Sequence, residues 1–305
     1  FRQSARDLPW RKTRDPYKIW ISEIMLQQTT VSAVIPKYEA WIKKFPDMRS
    51  LARAREQTVL KQWQGLGYYN RARNLHATAR IICQDHNGVL PSEADALSRL
   101  PGFGPYTVGA VLSIAFGIRK PIIDANVRRV SMRVLNLKGA ADTTHDKTIF
   151  AFLERVLPHR SVGDFNEALM ELGALICRQT NPLCLQCPVR ALCESYSEGC
   201  QELIPTPRLR RIKNISAVVA VIQHNGKFLI QQRTGTKLLH GLWEFPGGKV
   251  ENGETERTAL EREIIEELGV KIDSAQKFMT TDHSYTEFHV TLSVWWCTLK
   301  EIPRE

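Results

Sequence analysis

No stretch of the chain approaches the ~20 consecutive apolar residues that a bilayer-spanning helix needs, which argues against a membrane protein. Seven cysteines in 305 residues are too few and too unevenly placed for a secreted disulfide scaffold. Cys83, Cys200 and Cys297 read as unpaired thiols of a reducing compartment. Acidic residues are scarce in the front of the chain. Residues 1–207 hold 28 Lys and Arg against 19 Asp and Glu, whereas residues 214–305 hold 10 against 13. The net charge of +10 is therefore concentrated where a polyanion would bind, and the back third does not share that character. A 43% hydrophobic content over this length is ample for two packed domains.

What is present centres on residues 100–127, LPGFGPYTVGAVLSIAFGIRKPIIDANV. Pro101, Gly102, Gly104 and Pro105 forbid a regular helix, and the apolar segment Tyr106 to Phe116 is long enough for a buried one. A helix entered through glycines presents bare N–H groups that a phosphate can approach. Asp124 directly precedes a second helical pattern, Ala125 to Leu135, whose Arg128, Arg129 and Arg133 suggest a polyanion site beside a capping carboxylate. An ordinary turn and an ordinary cap are the plainer alternative.

Upstream, Asp15-Pro16 starts a helix running from Tyr17 to about Gln27. Its Glu23 has Ile19, Trp20 and Leu26 one turn away, so the carboxyl belongs to an apolar face. Withdrawal from water raises its pKa and lets it hold a proton near neutrality. Val31, Ile35, Tyr38, Ile42 and Phe45 then recur at helical spacing, as core. GLGYYNRARNLH, residues 65–76, sets two tyrosines on a glycine turn ahead of Arg71 and Arg73. An aromatic can wedge between bases while cations hold phosphates; core tyrosines are the alternative. The apolar stripe of FNEALMELGALIC leads to Cys177, Cys184, Cys187 and Cys193, which contain one close pair where zinc sites usually have two.

Residues 201–214 form a short Pro- and Arg-rich connector. From Ile215 the pattern becomes β-strand, SAVVAVI and KFLIQQR around a His224-Asn225-Gly226 turn. WEFPGGKVENGETERTALEREIIEELGV follows, placing Glu263, Glu266 and Glu267 on one helix face, where carboxylates can hold Mg²⁺ against a diphosphate.

These segments resemble the MutY family of adenine DNA glycosylases, in the helix-hairpin-helix, Gly-Pro-Asp superfamily. SEIMLQQT and DLPWRKTRDPYKIW match its acid segment and base pocket, and LPGFGPYT with the later Asp matches its hairpin. The likeness covers nearly the whole chain. It implies an all-α glycosylase domain, residues 1–207, with an iron-sulfur loop at 177–193, a basic linker at 208–214, and an α+β Nudix (MutT-like) domain at 215–305. It implies that Glu23 is the acid and Asp124 the anion, with Tyr106 and Asn126 beside them. Trp10, Arg11, Leu26, Gln28 and Thr29 would meet the displaced base and the DNA, Tyr68 would intercalate, and Gly102 and Gly104 would meet the backbone.

The four cysteines would bind a 4Fe-4S cluster, with zinc as the runner-up, on a loop displaying Arg178 and Arg190 to DNA. Strand-cutting relatives carry a lysine where this chain has Tyr106, so base removal without strand scission is expected. The expected partner is double-stranded DNA bearing A:8-oxoguanine or A:G mispairs, bound by a monomer. The expected location is cytoplasm or nucleoid in a bacterium, nucleus or mitochondrion in a eukaryote.

The Nudix domain of the family serves to recognise 8-oxoguanine. Where the family has Phe-Ser-His, this chain has Glu287-Phe288-His289, which leaves His283, Ser284, Tyr285 and His289 for that contact. The complete Nudix box also resembles MutT, so a second activity on 8-oxo-dGTP with Mg²⁺ stays open, as does a non-catalytic DNA-binding protein.

Overall fold

The computed structural model describes residues 5–207, 212–233, 241–284 and 288–301. The chain divides into two compact units, Phe1–Arg208 and Leu209–Glu305. The connector residues Arg208, Arg210 and Arg211 and the candidate contact Tyr285 lie outside the described residues.

The first unit is helical. Asp15 accepts the N–H groups of Tyr17 and Lys18, and Pro16 occupies the first position of α1 (Pro16–Leu26). Ile21, Ile24 and Met25 of α1 share a core with α2 (Val31–Lys44), α3 (Met48–Arg53), α4 (Glu56–Trp63), α5 (Asn70–Asp85) and α6 (Ala94–Ser98). Its large members are aromatic: Trp20 stacks on Phe103 at 5.7 Å, and Trp41 meets Trp63 edge-on at 5.6 Å. Each aliphatic side chain buried among them stabilises the fold by about 1.5–3 kcal/mol. Tyr38 and Phe45 are core members as the spacing predicts, while Val31, Ile35 and Ile42 pack at its edge.

After a turn in which Gly102 adopts φ +80°, α7 (Pro105–Ala110) begins at Gly104 with no side-chain cap. The α-helix predicted to reach Phe116 instead widens into a π turn at Val111–Ala115. There α10 (Val162–Leu175) packs tightly against it. A Cβ added to Gly163 would lie 2.9 Å from Ile114 Cα, and Asn166 donates to Ser113 Oγ at 2.9 Å. Between them come α8 (Ala125–Val134) and α9 (Asp146–Val156); α11 (Glu194–Ser197) follows the cysteine loop.

Among its described residues, the second unit has a five-stranded sheet, a two-stranded one, and a helix packed against the larger. The strands are β1 (Lys213–His224), β2 (Lys227–Phe228), β3 (Gln231–Gln232), β4 (Trp243–Glu244), β5 (Gly247–Lys249), β6 (Ile272–Ser284) and β7 (Phe288–Leu299). The larger sheet runs β2-β1-β7-β6, with β5 also on β1, and β1 and β7 are parallel; β3 and β4 form the smaller. α12 (Glu256–Leu268) buries Ala259, Leu260 and Ile264 against Val218, Ala220 and Ile222. The strand predicted over KFLIQQR is two short ones, because β2 pairs with β1 while Gln231 and Gln232 change partner to β4.

Candidate active site

A cleft of about 630 Å³ in the helical unit is lined by Trp10, Arg11, Glu23, Leu26, Gln28, Thr29, Tyr106, Asp124 and Asn126, together with Glu167, Met170 and Glu171. Its size suits a small-molecule or base pocket. Every residue that the resemblance assigns to chemistry or to the base pocket borders this one space.

Glu23 is 5% exposed, and Tyr106 donates its hydroxyl to Glu23 Oε2 at 2.5 Å. Burial pushes the Glu23 carboxyl up to about 7; the Tyr106 hydrogen bond opposes this, and the nearby Glu167 and Asp124 add to it. A carboxyl so placed holds or releases a proton at neutral pH. Burial, with Glu23 and Asp124 alongside, raises the Tyr106 phenol well above its ordinary value, so it stays a hydrogen-bond donor.

Asp124 caps α8, accepting from Val127 N at 2.6 Å and from Asn126 Nδ2 at 3.0 Å. Burial raises its pKa against those hydrogen bonds, so the helix end offsets desolvation without depressing the carboxyl. Asn126 is fixed in turn by Arg129, which donates to its Oδ1 at 3.0 Å. α10 sits directly on this turn, since a Cβ on Gly173 would lie 2.5 Å from Asn126 Cβ.

Along the wall of the cleft runs an ion-pair network between distant segments. Glu171 accepts from Arg6 Nε (2.8 Å), Arg6 Nη2 (2.7 Å) and Arg11 Nη2 (2.8 Å), and Arg14 meets Glu167 and Asp164. Burial works against the Glu171 anion, but the hydrogen bonds from Arg6 and Arg11 leave its pKa at about 2. The apolar stripe in the sequence of α10 does not announce Glu167, Met170 and Glu171, which the fold brings to the cleft. The two acids four residues apart were the available signal.

The arginines of α8 do not form the polyanion site that the sequence suggests. Arg128 pairs with Asp146 at 2.8 Å, Arg129 donates to the carbonyls of Gly173 and Cys177, and buried Arg133 donates to the carbonyls of Arg178, Gln179 and Ile204. Arg71, expected on phosphate, likewise faces backbone carbonyls. Arg73 pairs with Glu56 at 3.1 Å. Tyr68 is 42% exposed with φ +48°, next to Gly67 at φ +69°. Gly102 and Gly104 are exposed, and a Cβ at Gly104 would meet nothing within 4 Å, so its backbone is open to approach.

Cys177, Cys184, Cys187 and Cys193 all line one cavity against α8 and α10. Among the described residues no three His, Cys, Asp or Glu side chains converge tightly enough for a single ion. Burial and the three neighbouring cysteines raise the Cys184 pKa, a repulsion that bound metal would relieve. Arg133 Nη1 lies 3.4 Å from Cys177 Sγ. Arg178 and Arg190 are exposed on this loop, Arg178 donating to Asn181 O and Arg190 lying over Tyr196.

On α12, Arg262 gathers Glu254 (2.8 Å), Glu263 (2.9 Å) and Glu266 (3.3 Å), while Glu267 accepts from Gly247 N (2.8 Å) and Gln231 (2.6 Å). As folded, these carboxylates do not converge as a Mg²⁺ site. At the β6–β7 end, Ser284 faces His289 across the strands, with Oγ 2.8 Å from Nδ1, and His289 Nε2 lies 3.3 Å from Asp282. His283, one position along, is exposed.

Residues 21–158 match the family described as HhH-GPD superfamily base excision DNA repair protein, and residues 217–305 match the NUDIX domain. A thermostable thymine-DNA glycosylase is 33% identical, with a TM-score of 0.57 over 63% of this chain and 89% of that one. An endonuclease III–DNA complex shares the fold at 24% identity and a TM-score of 0.54 over 61% of this chain and 86% of that one. Fold and cleft thus define a DNA N-glycosylase of the helix-hairpin-helix class, carrying a Nudix-like domain.

The adenine DNA glycosylase of Buchnera aphidicola from Acyrthosiphon pisum is 33% identical over 94% of this chain and 81% of its own length. The human adenine DNA glycosylase is 35% identical over 86% of this chain and 58% of its own. The chain belongs to the adenine DNA glycosylase family.

Proposed function

We propose that the protein excises adenine mispaired with 8-oxoguanine or guanine in double-stranded DNA, taking the flipped adenosine into the cleft. The observation that carries this reading is that Glu23 and Asp124 border the same space. Glu23, protonated, gives its proton to the adenine ring as the N-glycosidic bond breaks and the bonding pair leaves with the neutral base. Asp124 balances the positive sugar or bonds to it transiently, after which water completes hydrolysis and its proton returns to Glu23. Tyr106 and Asn126 hold the two carboxyls, Trp10 and Arg11 flank the base, and Tyr68 wedges into the stack.

Single-turnover assays on an A:8-oxoguanine duplex should show base release. Borohydride should trap little covalent adduct, because no amine stands where Tyr106 does. Strong trapping overturns the monofunctional mechanism.

The four cysteines fit a 4Fe-4S cluster better than zinc, since they ring one cavity without converging on one point. Such a cluster would fix the loop that joins α10 to α11 and is redox-capable in its own right. Purified protein should be brown with about four irons per chain, and Cys184→Ser should lose the colour; a colourless protein holding zinc contradicts this.

The Nudix-like unit reads 8-oxoguanine in this scheme, with Ser284, His289 and His283 at the β6–β7 end as the contacts. Its box carboxylates are bound to Arg262, Gly247 N and Gln231 and do not turn together toward a Mg²⁺ ion. Mg²⁺-dependent hydrolysis of 8-oxo-dGTP should be absent; robust turnover would make the unit a second enzyme.

A further inference from the structure

We infer that Arg71 is a positioning residue that makes the placement of the acid helix depend on the tyrosine turn. This rests on the excision reading above. The Arg71 guanidinium joins two segments some forty residues apart. Nη1 donates to the carbonyls of Ile24 (2.8 Å), Met25 (3.2 Å) and Gln27 (2.5 Å), at the end of the helix that carries Glu23. Nη2 donates to Leu66 O (2.7 Å) and Gly67 O (3.2 Å) in the tyrosine turn, and to Thr29 Oγ1 (3.2 Å).

A helix leaves its last carbonyls without intrahelical partners. At the end of α1 the guanidinium takes up that role, as arginines at helix C-termini do. The same group lies 5.1 Å from the Trp63 ring and 5.7 Å from the Tyr68 ring. Burial lowers its pKa to about 10, so it remains a cation at neutral pH.

Two residues in the left-handed region flank this hub, Tyr68 at φ +48° and Gln28 at φ +55°. Such conformations are strained for non-glycine residues and persist where their surroundings hold them. Here one guanidinium bonds on both sides. If Tyr68 enters a base stack, the carbonyls of Leu66 and Gly67 move with it, and Arg71 carries that displacement to Ile24, next to Glu23, and to the Gln27–Thr29 loop. Gln27 extends the chain of contacts, donating to Thr107 Oγ1 on α7 at 3.3 Å.

The test is a cycle of Tyr68→Ala, Arg71→Met and the pair, read by single-turnover excision and by duplex affinity at several salt concentrations. Arg71→Met should slow excision by about 10- to 100-fold, the scale of a misplaced catalytic group. Affinity and its salt slope should change little, whereas loss of a phosphate contact would reduce the slope by about one. The double variant should be no slower than the slower single one; independent, multiplying losses overturn the coupling.

Arg71→Lys keeps the charge without the fork, and it carries the cycle if the methionine variant does not fold. Full activity in Arg71→Lys also overturns the inference. A second readout needs no catalysis: duplex binding should slow amide exchange at Gln27–Thr30 in the wild type and not in either Arg71 variant. Wild-type inactivity would strike the excision reading, whereas protection surviving in the variants would strike this one.

Discussion

Glu23→Gln should lower single-turnover excision by about 10³-fold or more while leaving duplex affinity within a few-fold. General-acid groups supply roughly 10²–10⁴ in rate, and the amide keeps the shape and the acceptor that Tyr106 bonds but has no proton to give. In the mechanism proposed above, only the protonated carboxyl is competent. The rate should therefore fall as pH rises through about 7, the value to which burial lifts Glu23.

The same substitution has a predictable effect on stability. A carboxyl whose pKa is raised on folding binds protons more tightly folded than unfolded, so stability falls as pH rises from about 4.5 to about 7 and is level above. The penalty at pH 8 is on the order of 3 kcal/mol. Glu23→Gln removes it, and the variant should melt several degrees above the wild type at pH 8 and gain nothing at pH 4. A variant that excises adenine at the wild-type rate removes Glu23 from the mechanism. One that melts earlier at every pH shows that the carboxyl is not held under strain.

How much of this was legible follows the range of each interaction. The burial of Glu23 could be read from Ile19, Trp20 and Leu26 on its own helix, and the capping role of Asp124 from the residue after it, because both are local. Cysteine spacing is local too. The Tyr106–Glu23 hydrogen bond links residues 83 apart, and the Arg6–Glu171–Arg11 network closes over some 160, so no pattern within a window reports them. The arginines mark the limit most clearly. Arg71, Arg128, Arg129 and Arg133 read as phosphate ligands because sequence gives charge but not direction. In the fold each reaches inward, to carbonyls or to Asp146. The Nudix box shows the converse: its spacing was plain, yet Arg262, inside the box itself, occupies carboxylates that the spacing alone would offer to a metal.

Asp124→Asn isolates the other charge. Asparagine caps a helix about as well as aspartate, so Val127 N keeps its acceptor and α8 its start. The local cost is at the second oxygen, where an amide would face the Asn126 Nδ2 donor now 3.0 Å from Asp124 Oδ2. One mismatched hydrogen bond is worth about 1–3 kcal/mol of stability, and melting should drop by no more than that implies.

Catalysis should suffer far more if, as proposed, the anion acts on charge that exists only as the glycosidic bond breaks. Loss of a preorganised electrostatic partner of this kind lowers rate by about 10²–10³-fold. The pH profile should discriminate further. On the proposed mechanism, Asp124→Asn should keep an alkaline fall near 7 from Glu23 and lose the acidic fall expected from protonation of Asp124 in the wild type. A rate within tenfold of wild type, or an acidic limb that survives the substitution, would mean that the sugar cation is balanced by some other group and that Asp124 is only the cap of its helix.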